Sequence, residues 1–250
     1  MATTFTSPAN RRIPMDSWRK TSFTAGALYL LTFASIPTLF LYESVREANY
    51  ITGPGPDTAV LFGGVLEFIV ALACIGTAVV LYPVVKRQNE GVAMGFVGMR
   101  VLEGAAIFAG IACLLTIVTL RQGGVGADAL VTGQALVGLY NRAFFLGQSM
   151  LPVANALLLG SLLYQSRLVP RALPILGFIG APLLLASNAG ILFGAWDRVS
   201  AIAAIAALPI AVWELSLGVY LLVKGFRPLA MARLFPAPIL PHPQPESVTT

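Results

Sequence analysis

Five charged residues lie inside long apolar stretches of this chain, where an ionised group is costly. They are Glu67, Arg100, Glu103, Arg142 and Glu214, and the amides of Asn155 and Asn188 lie in similar stretches. A charge at the centre of a bilayer costs about 2.5–3.5 kcal/mol on insertion scales, so each group should face the protein interior and have a partner there. Carboxyl groups in such a place can take up a proton or a cation.

The apolar stretches themselves predict membrane-spanning helices. Of the 250 residues, 57% are hydrophobic and only 11% are charged, whereas soluble domains carry about 25% charged residues. This composition excludes a soluble enzyme, a disordered protein and a disulfide scaffold. Six stretches reach the ~20 residues that one span needs. They are Ser22–Tyr42, Ala59–Val85, Gly91–Leu120, Gly138–Tyr164, Ala172–Gly194 and Ser200–Val223. We therefore expect an all-α integral membrane bundle of six transmembrane helices, formed by residues 21–224.

The tails and the basic residues predict how the bundle is oriented. Residues 1–20 and the proline-rich residues 225–250 are expected to be disordered tails. If the N-terminus is cytoplasmic, the inside segments carry eleven Lys and Arg residues, and the outside loops carry only Arg46, Arg121 and Arg198. This asymmetry places both termini in the cytoplasm. The positive charge is then expected to contact anionic lipid headgroups, and nucleic-acid binding is not expected.

An inner polar core is predicted about nine residues from the cytoplasmic ends of three spans. Arg100 and Glu103 share one helix face because they are spaced i, i+3, and Glu214 and Asn155 lie at a similar depth. We expect Arg100 to reach Glu214, Glu103 or both. The core then holds two carboxyl groups and one guanidinium. The remaining carboxyl should be protonated, paired with a bound cation or hydrated.

An outer polar tier is predicted nearer the other membrane face. Residue counts from the span ends put Arg142, Asn188 and Glu67 at depths of roughly 6, 9 and 12 Å. We expect a Glu67–Arg142 ion pair with Asn188 nearby. Two interpretations of both tiers remain open: a proton- or cation-linked binding site, or ion pairs that only staple helices together.

Several other residue types exclude functions or predict local irregularity. The one histidine, His242, lies in the proline-rich tail, so neither a catalytic histidine nor a histidine metal site is expected within the membrane. Cys74 and Cys113 differ by roughly 12 Å in depth and should not pair. Accordingly, no enzyme activity, no metal and no cofactor are expected. Prolines inside spans can kink them; these are Pro37, Pro152, Pro182 and Pro209.

Several sequence blocks resemble a known family. They are AGALYLLTF at residues 25–33, IGTA at 75–78, LYPVVKRQNEG at 81–91, RVLE at 100–103, NALLLG at 155–160, YQSRLVPR at 164–171 and WELSLG at 213–218. Together they resemble the bacterial membrane family DUF4386, a domain of unknown function, over roughly residues 20–227. The resemblance implies a six-helix integral membrane protein of the bacterial inner membrane. It implies no activity, cofactor or substrate.

Two functions fit the sequence. The first is a small proton- or cation-linked transporter or membrane sensor, with Arg100, Glu103 and Glu214 as its core and the outer tier as a gate. The alternative is a non-catalytic membrane or partner-binding protein of the bacterial envelope. That protein would associate with another membrane protein or with its own copies. A cavity that reaches Glu103 or Glu214 favours the first function.

Overall fold

The structure, a computed structural model, describes residues 15–47, 49–53 and 56–236, and these form helices joined by short connections. The α-helices are α1 (Met15–Leu31), α2 (Thr38–Leu41), α3 (Thr58–Val85), α4 (Glu90–Gln122), α5 (Leu130–Phe144), α6 (Leu151–Ser166), α7 (Ala172–Leu192), α8 (Ala201–Val223) and α9 (Pro228–Leu234). Short 3₁₀ turns occur at Thr32–Ser35, Ser44–Arg46 and Gly126–Ala129, and a π-helical turn occurs at Phe145–Met150.

Six helical segments are long and apolar enough to cross a membrane, as the sequence predicts. They are Ser17–Leu41, Thr58–Val85, Glu90–Gln122, Gly126–Ser166, Ala172–Leu192 and Ala201–Val223. Their outward surfaces are apolar: Phe62, Val65 and Leu208 are each more than half exposed. In water such a surface would be unfavourable, whereas lipid solvates it. This surface and the six spans indicate a multi-pass membrane protein.

The six spans form a closed ring in chain order. α1 packs on α3, α3 on α4, α4 on α6, α6 on α7 and α7 on α8, and α8 returns to α1. A buried apolar core lies towards one end of this ring and includes Trp213, Phe96 and Leu159. Polar groups on the inner face of each span are thereby held close together and away from lipid.

The first and last spans come together at one end of the ring, which we name the terminal end. The Arg19 guanidinium donates hydrogen bonds to the carbonyls of Leu221, Leu222 and Val223, at 3.1, 2.7 and 3.0 Å. These carbonyls belong to the last turn of α8, where helical partners are missing. The C-terminus of α8 is thus capped by a cation on α1, which also complements the helix dipole.

At the other end, which we name the loop end, α4 and α5 extend beyond the other spans. α4 has 33 residues, or about 50 Å, compared with a hydrocarbon core of ~30 Å. Contacts at the terminal end fix where α4 begins, because Tyr82 donates to Glu90 at 3.2 Å. The excess length therefore lies at the loop end, where Tyr42, Val45 and other buried residues form a separate apolar cluster against α4 and α5.

A network of hydrogen bonds fastens the chain before α3 to this extension. The Asp57 carboxylate accepts from Tyr50 and Arg121, each at 2.7 Å, and from Gln122 at 3.0 Å. Burial alone would raise the pKa of Asp57, but these three donors outweigh it and hold the pKa below its ordinary value. Burial, together with the bond to Asp57, raises the pKa of Tyr50 to about 12. The network is structural and lies far from the inner polar core.

Two spans are irregular, and in both a proline explains the change. The first span breaks over residues 32–37 before Pro37, and the hydroxyls of Thr32 and Thr38 donate to the carbonyls of Tyr29 and Ser35. In the fourth span a π-helical turn precedes Pro152, whose ring nitrogen cannot donate a hydrogen bond. Pro182 and Pro209, by contrast, lie inside uninterrupted helices.

Some residues of the two tails that were expected to be disordered are helical in the structure. α1 begins at Met15, inside the expected tail of residues 1–20, because Ser17–Lys20 extend the helix to the point where Arg19 caps α8. α9 lies inside the tail expected at residues 225–250, and its Ala230 and Met231 are buried in the core. Residues 1–14 and 237–250 lie outside the described residues.

Gly26 permits the closest approach between α1 and α8. A Cβ atom added at Gly26 would lie 2.5 Å from the backbone nitrogen of Leu222 and 2.6 Å from the carbonyl oxygen of Gly218. Backbone atoms cannot move aside as a flexible side chain can.

We expect Gly26→Ala to separate α1 from α8 and to lower stability by about 1–3 kcal/mol, as overpacking does. Gly98→Ala is the matched control, because a Cβ there meets no atom within 4 Å. Alanine favours a helix more than glycine does, so the control should melt at the same temperature or higher. Thermal unfolding of both variants in detergent checks this, and equal melting temperatures would contradict the close approach.

Candidate functional site

The Arg100 guanidinium is the centre of the inner polar core. Its Nη1 lies 3.1 Å from Glu103 Oε2 and its Nη2 lies 3.1 Å from Glu214 Oε1. The structure thus confirms that Arg100 reaches both predicted partners. Glu103 lies on the same face of α4 three residues later, and Glu214 comes from α8. One guanidinium therefore joins α4 to α8 through two residues that are 114 positions apart in the sequence.

Asn155 of α6 completes the predicted core. Its side-chain nitrogen donates to Glu103 Oε2 at 2.7 Å. The same carboxylate oxygen therefore accepts from both Arg100 and Asn155, which fixes its position. Asn155 has no exposed surface, and Arg100 and Glu103 are 1% and 5% exposed. The core thus joins three spans, and three of its four side chains are buried.

Two further residues contact Arg100 and were not predicted as part of the site. The Tyr29 ring of α1 lies with its centroid 5.1 Å from Arg100 Cζ, and Cys74 Sγ of α3 lies 3.6 Å from Arg100 Nη1. A guanidinium over an aromatic face gains a cation–π interaction of about 2 kcal/mol when desolvated. Cys74 therefore forms part of the surroundings of Arg100. Both Cys74 and Cys113 are free and buried.

The core carries more negative than positive charge. It holds two carboxyl groups and one guanidinium, and ionisation of both acids would leave one uncompensated negative charge. Three of its buried polar atoms also have no hydrogen-bond partner among the described residues, namely Tyr29 Oη, Arg100 Nε and Asn155 Oδ1. A buried uncompensated charge is costly, so the arrangement favours uptake of a proton or a cation.

A cavity of about 640 Å³ opens beside this core. Arg100, Glu103 and Glu214 form its polar end, and Ser187 and Asn188 of α7 form part of its wall. Glu214 has 16% of its side chain exposed, more than Glu103 at 7%. Most of the other lining residues are apolar. A ligand of mainly apolar character with one polar group therefore matches the lining.

The broken first span creates this cavity. α1 packs against α8, but beyond the break the residues Thr32–Ser35 and Thr38–Leu41 pack against α3. The space left between them and the first half of α8 is lined by Ile36 and Leu39 on one side and by Ala204 and Ala207 on the other. The small alanines of α8 widen it further.

The predicted Glu67–Arg142 pair is wrong. Glu67 is fully buried and its Oε1 accepts from the Tyr140 hydroxyl at 3.2 Å, while Arg142 is exposed. Successive helix residues are 100° apart, so Arg142 points about 200° away from Tyr140 around α5. The side chains of Tyr42 and Gln148 also face the Glu67 carboxyl. The rotation of α5 thus places a tyrosine where an arginine was expected.

Asn188, the third residue of the predicted outer tier, lines the main cavity and contacts the π-helical turn. Its side-chain nitrogen donates to the backbone carbonyl of Ser149 at 2.8 Å, within the π-helical turn. Gln148 of the same turn lines the main cavity and faces Glu67. The irregular turn therefore connects the outer tier to the cavity wall.

Fold and site together define a six-helix multi-pass membrane protein with a buried ion-pair core beside an internal cavity. Within the described residues no group of three or more His, Cys, Asp and Glu side chains could hold a metal ion. The chain belongs to the family described as Domain of unknown function (DUF4386), whose model matches residues 24–225. No curated protein and no solved structure matches it.

Proposed function

We propose that this protein is a small proton- or cation-linked transporter or membrane sensor, and that it is not an enzyme. One observation carries the proposal: a cavity of about 640 Å³ ends on a core with two carboxyl groups and one guanidinium. Glu214 is the carboxyl group most exposed to that cavity. The two carboxyl groups together would exchange one shared proton for a cation, while Arg100 and Asn155 hold them in place.

The shape and charge of the cavity favour a lipophilic cation as its ligand. The apolar walls would bind the body of such a molecule, and its positive charge would replace the proton as the neutralising charge of the core. An anion of equal size would instead add to the negative charge. The proposal therefore predicts different affinities for two ions of similar size and shape but opposite charge.

Tetraphenylphosphonium and tetraphenylborate are such a pair, and their binding tests the proposal. Purified protein in neutral detergent should bind the cation, and binding should strengthen by up to tenfold for each pH unit over the range in which the cation displaces a proton. Glu214→Gln should abolish the pH dependence and weaken binding at least about tenfold. Glu47→Gln, an exposed glutamate at the loop end, is the control.

Calorimetric titration of each variant measures these affinities. Equal binding of the two ions, or wild-type affinity and pH dependence in Glu214→Gln, would contradict the proposal. Proteoliposomes with a pH-sensitive dye inside then separate transport from sensing. Proton efflux that accompanies uptake of the cation supports a transporter, and binding without flux supports a sensor.

Charge at the terminal end favours a cytoplasmic position for both termini, and we place the protein in the bacterial inner membrane as part of the proposal. The basic residues described at that end are Arg19, Lys20, Lys86, Arg87, Arg167, Arg171, Lys224, Arg227 and Arg233. Four of them, Arg167, Lys224, Arg227 and Arg233, line a groove of about 450 Å³ beside α9. Anionic lipid headgroups at the cytoplasmic surface are the partners that this groove would contact. Nucleic-acid binding is not part of the proposal.

A second candidate function is a non-catalytic membrane or partner-binding protein of the envelope. It is favoured by the way in which the core joins α4, α6 and α8 through Arg100 and Asn155. The partner would be another membrane protein or a second copy of the chain. In that case Glu214→Gln should lower the melting temperature without any effect on ligand binding.

A further inference from the structure

A second pocket, of about 600 Å³, lies at the loop end and is lined by three arginines. Arg46 follows the first span, Arg142 belongs to α5, and Arg198 lies in the connection between α7 and α8. Asn141, Trp196 and Asp197 also line it. Side chains from three separate parts of the chain thus bring positive charge to one place, which the proposed function does not use.

Arg46, Arg198 and Trp196 each present a buried N–H group without an acceptor in the described part of the chain. Arg198 Nη2 donates to Asn141 Oδ1 at 3.3 Å, and its Cζ lies 4.3 Å from the centre of the Phe144 ring. Its Nη1 is buried and has no partner within the described part of the chain, and the same holds for Arg46 Nε and Trp196 Nε1. Buried donors without acceptors are costly and rare in native proteins.

Charge in this pocket is unbalanced. Burial and the nearby charge of Arg46 lower the pKa of Arg198, yet a guanidinium stays protonated at neutral pH. Asp197 supplies one exposed carboxylate, and the buried Glu67 already accepts from Tyr140. A bound anion would relieve the repulsion between the arginines and accept from the free N–H groups. Arginine matches phosphate geometry particularly well.

The pocket lies where both water and lipid headgroups have access. α7 ends at Leu192 and α8 begins at Ala201, so Arg198 lies in the connection at the boundary of two spans. α7 has 21 residues and is about 31 Å long, which matches the hydrocarbon core. The pocket is therefore at the level where phosphate groups of lipids lie.

We propose that Arg46, Arg142, Arg198 and Trp196 form a binding site for a phosphate group, supplied by a phospholipid headgroup or by a free phosphate ion. The Trp196 ring holds its position by packing on Gly190 of α7. Arg198 also lines the main cavity, so an anion bound here would neutralise the cation nearest to the cavity wall. The site contains none of the core residues Arg100, Glu103 and Glu214, so phosphate binding can be tested separately from exchange at the core.

Fluorescence of Trp196 provides the test on the full chain in neutral detergent. Inorganic phosphate and a short-chain phosphatidylglycerol are titrated separately, with diacylglycerol of the same chain length as the lipid without phosphate. Arg198→Gln and Arg46→Gln should each weaken binding at least about tenfold, because each removes charge-assisted hydrogen bonds. Asp197→Asn should strengthen it. Arg171→Gln removes the same charge at the terminal end and should bind as the wild type does.

Each outcome decides between the sources or against the site. A response to both phosphate and phosphatidylglycerol identifies the phosphate group alone as the ligand, and a response only to the lipid identifies the headgroup with its chains. Trp196→Phe should remove the fluorescence change, which would locate it. Absence of any response, equal responses to diacylglycerol, or wild-type binding in folded Arg198→Gln and Arg46→Gln would overturn the proposal.

Discussion

Replacement of Arg100 by glutamine should destabilise the bundle by about 3–5 kcal/mol, the range typical of a broken buried ion pair. Arg100 is the only cation within hydrogen-bond distance of Glu103 and Glu214 among the described residues, and it is 1% exposed. Its removal leaves two carboxyl groups facing each other with one amide between them. The Tyr29 ring also loses its cation.

Unfolding of the variant in increasing sodium dodecyl sulfate, followed by circular dichroism, measures this loss. Arg171→Gln is the matched control, since Arg171 is exposed at the terminal end, where it donates to the Tyr164 carbonyl and lies over the Tyr164 ring. It should change stability by less than about 1 kcal/mol. Adding Glu103→Gln and Glu214→Gln to Arg100→Gln should recover much of the loss, because the core is then neutral.

The stabilities of the single and triple variants show whether the ion pairs stabilise the association of the helices. A destabilised single variant with a recovered triple variant shows that charge balance holds the three helices together. If Arg100→Gln were as stable as the wild type, the two carboxyl groups would already be neutral without the guanidinium. The ion pairs would then contribute nothing to the association of α4 with α8.

The contacts of Arg100 could be predicted from sequence because two simple rules determine them. Spacing of i, i+3 places Glu103 beside Arg100 on one helix, and equal distance from the span ends places Glu214 and Asn155 at the same depth. Charge in lipid must be paired, so depth alone selected the partners. The number and type of the helices followed from composition in the same way.

Residues that depend on helix rotation could not be predicted in this manner. Tyr29 faces Arg100 because Gly26 and Gly218 let α1 approach α8 closely, and neither glycine stood out in the sequence. Glu67 faces Tyr140 rather than Arg142 because of the rotation of α5. Depth is fixed by residue counts, whereas rotation is fixed by packing between helices that are distant in sequence.

The cavity likewise required the structure. Pro37 indicated a kink in the first span, but not that residues beyond the break would turn towards α3 and leave α8. Nor did the sequence indicate that Arg46, Arg142 and Arg198 meet in one pocket, since they lie far apart along the chain, two in connections and one in α5. Sequence rules thus predicted the pairs within the core and missed the spaces around it.

A single added charge at position 155 should test the charge balance of the core from the opposite direction. Asn155→Asp keeps the size of the side chain and replaces the amide that donates to Glu103 at 2.7 Å. At high pH the core would hold three carboxylates and one guanidinium. The carboxylates at positions 155 and 103 would then face each other where the amide now donates a hydrogen bond. Like charges this close, with no exposed surface at position 155, should cost several kcal/mol, comparable to an unpaired buried charge.

The size of this effect should depend on pH with a definite sign. A protonated aspartic acid carries no charge and can donate one hydrogen bond to Glu103, as the amide does. The difference in melting temperature between Asn155→Asp and the wild type should therefore shrink as the pH falls and grow as it rises. Gln165→Glu adds the same charge at an exposed position of α6 and should show little difference at any pH. A constant deficit in Asn155→Asp across pH would mean that lost packing, not charge, causes it. A variant as stable as the wild type at high pH would mean that the core readily accommodates a further negative charge, contrary to the excess of acid inferred from Glu103 and Glu214.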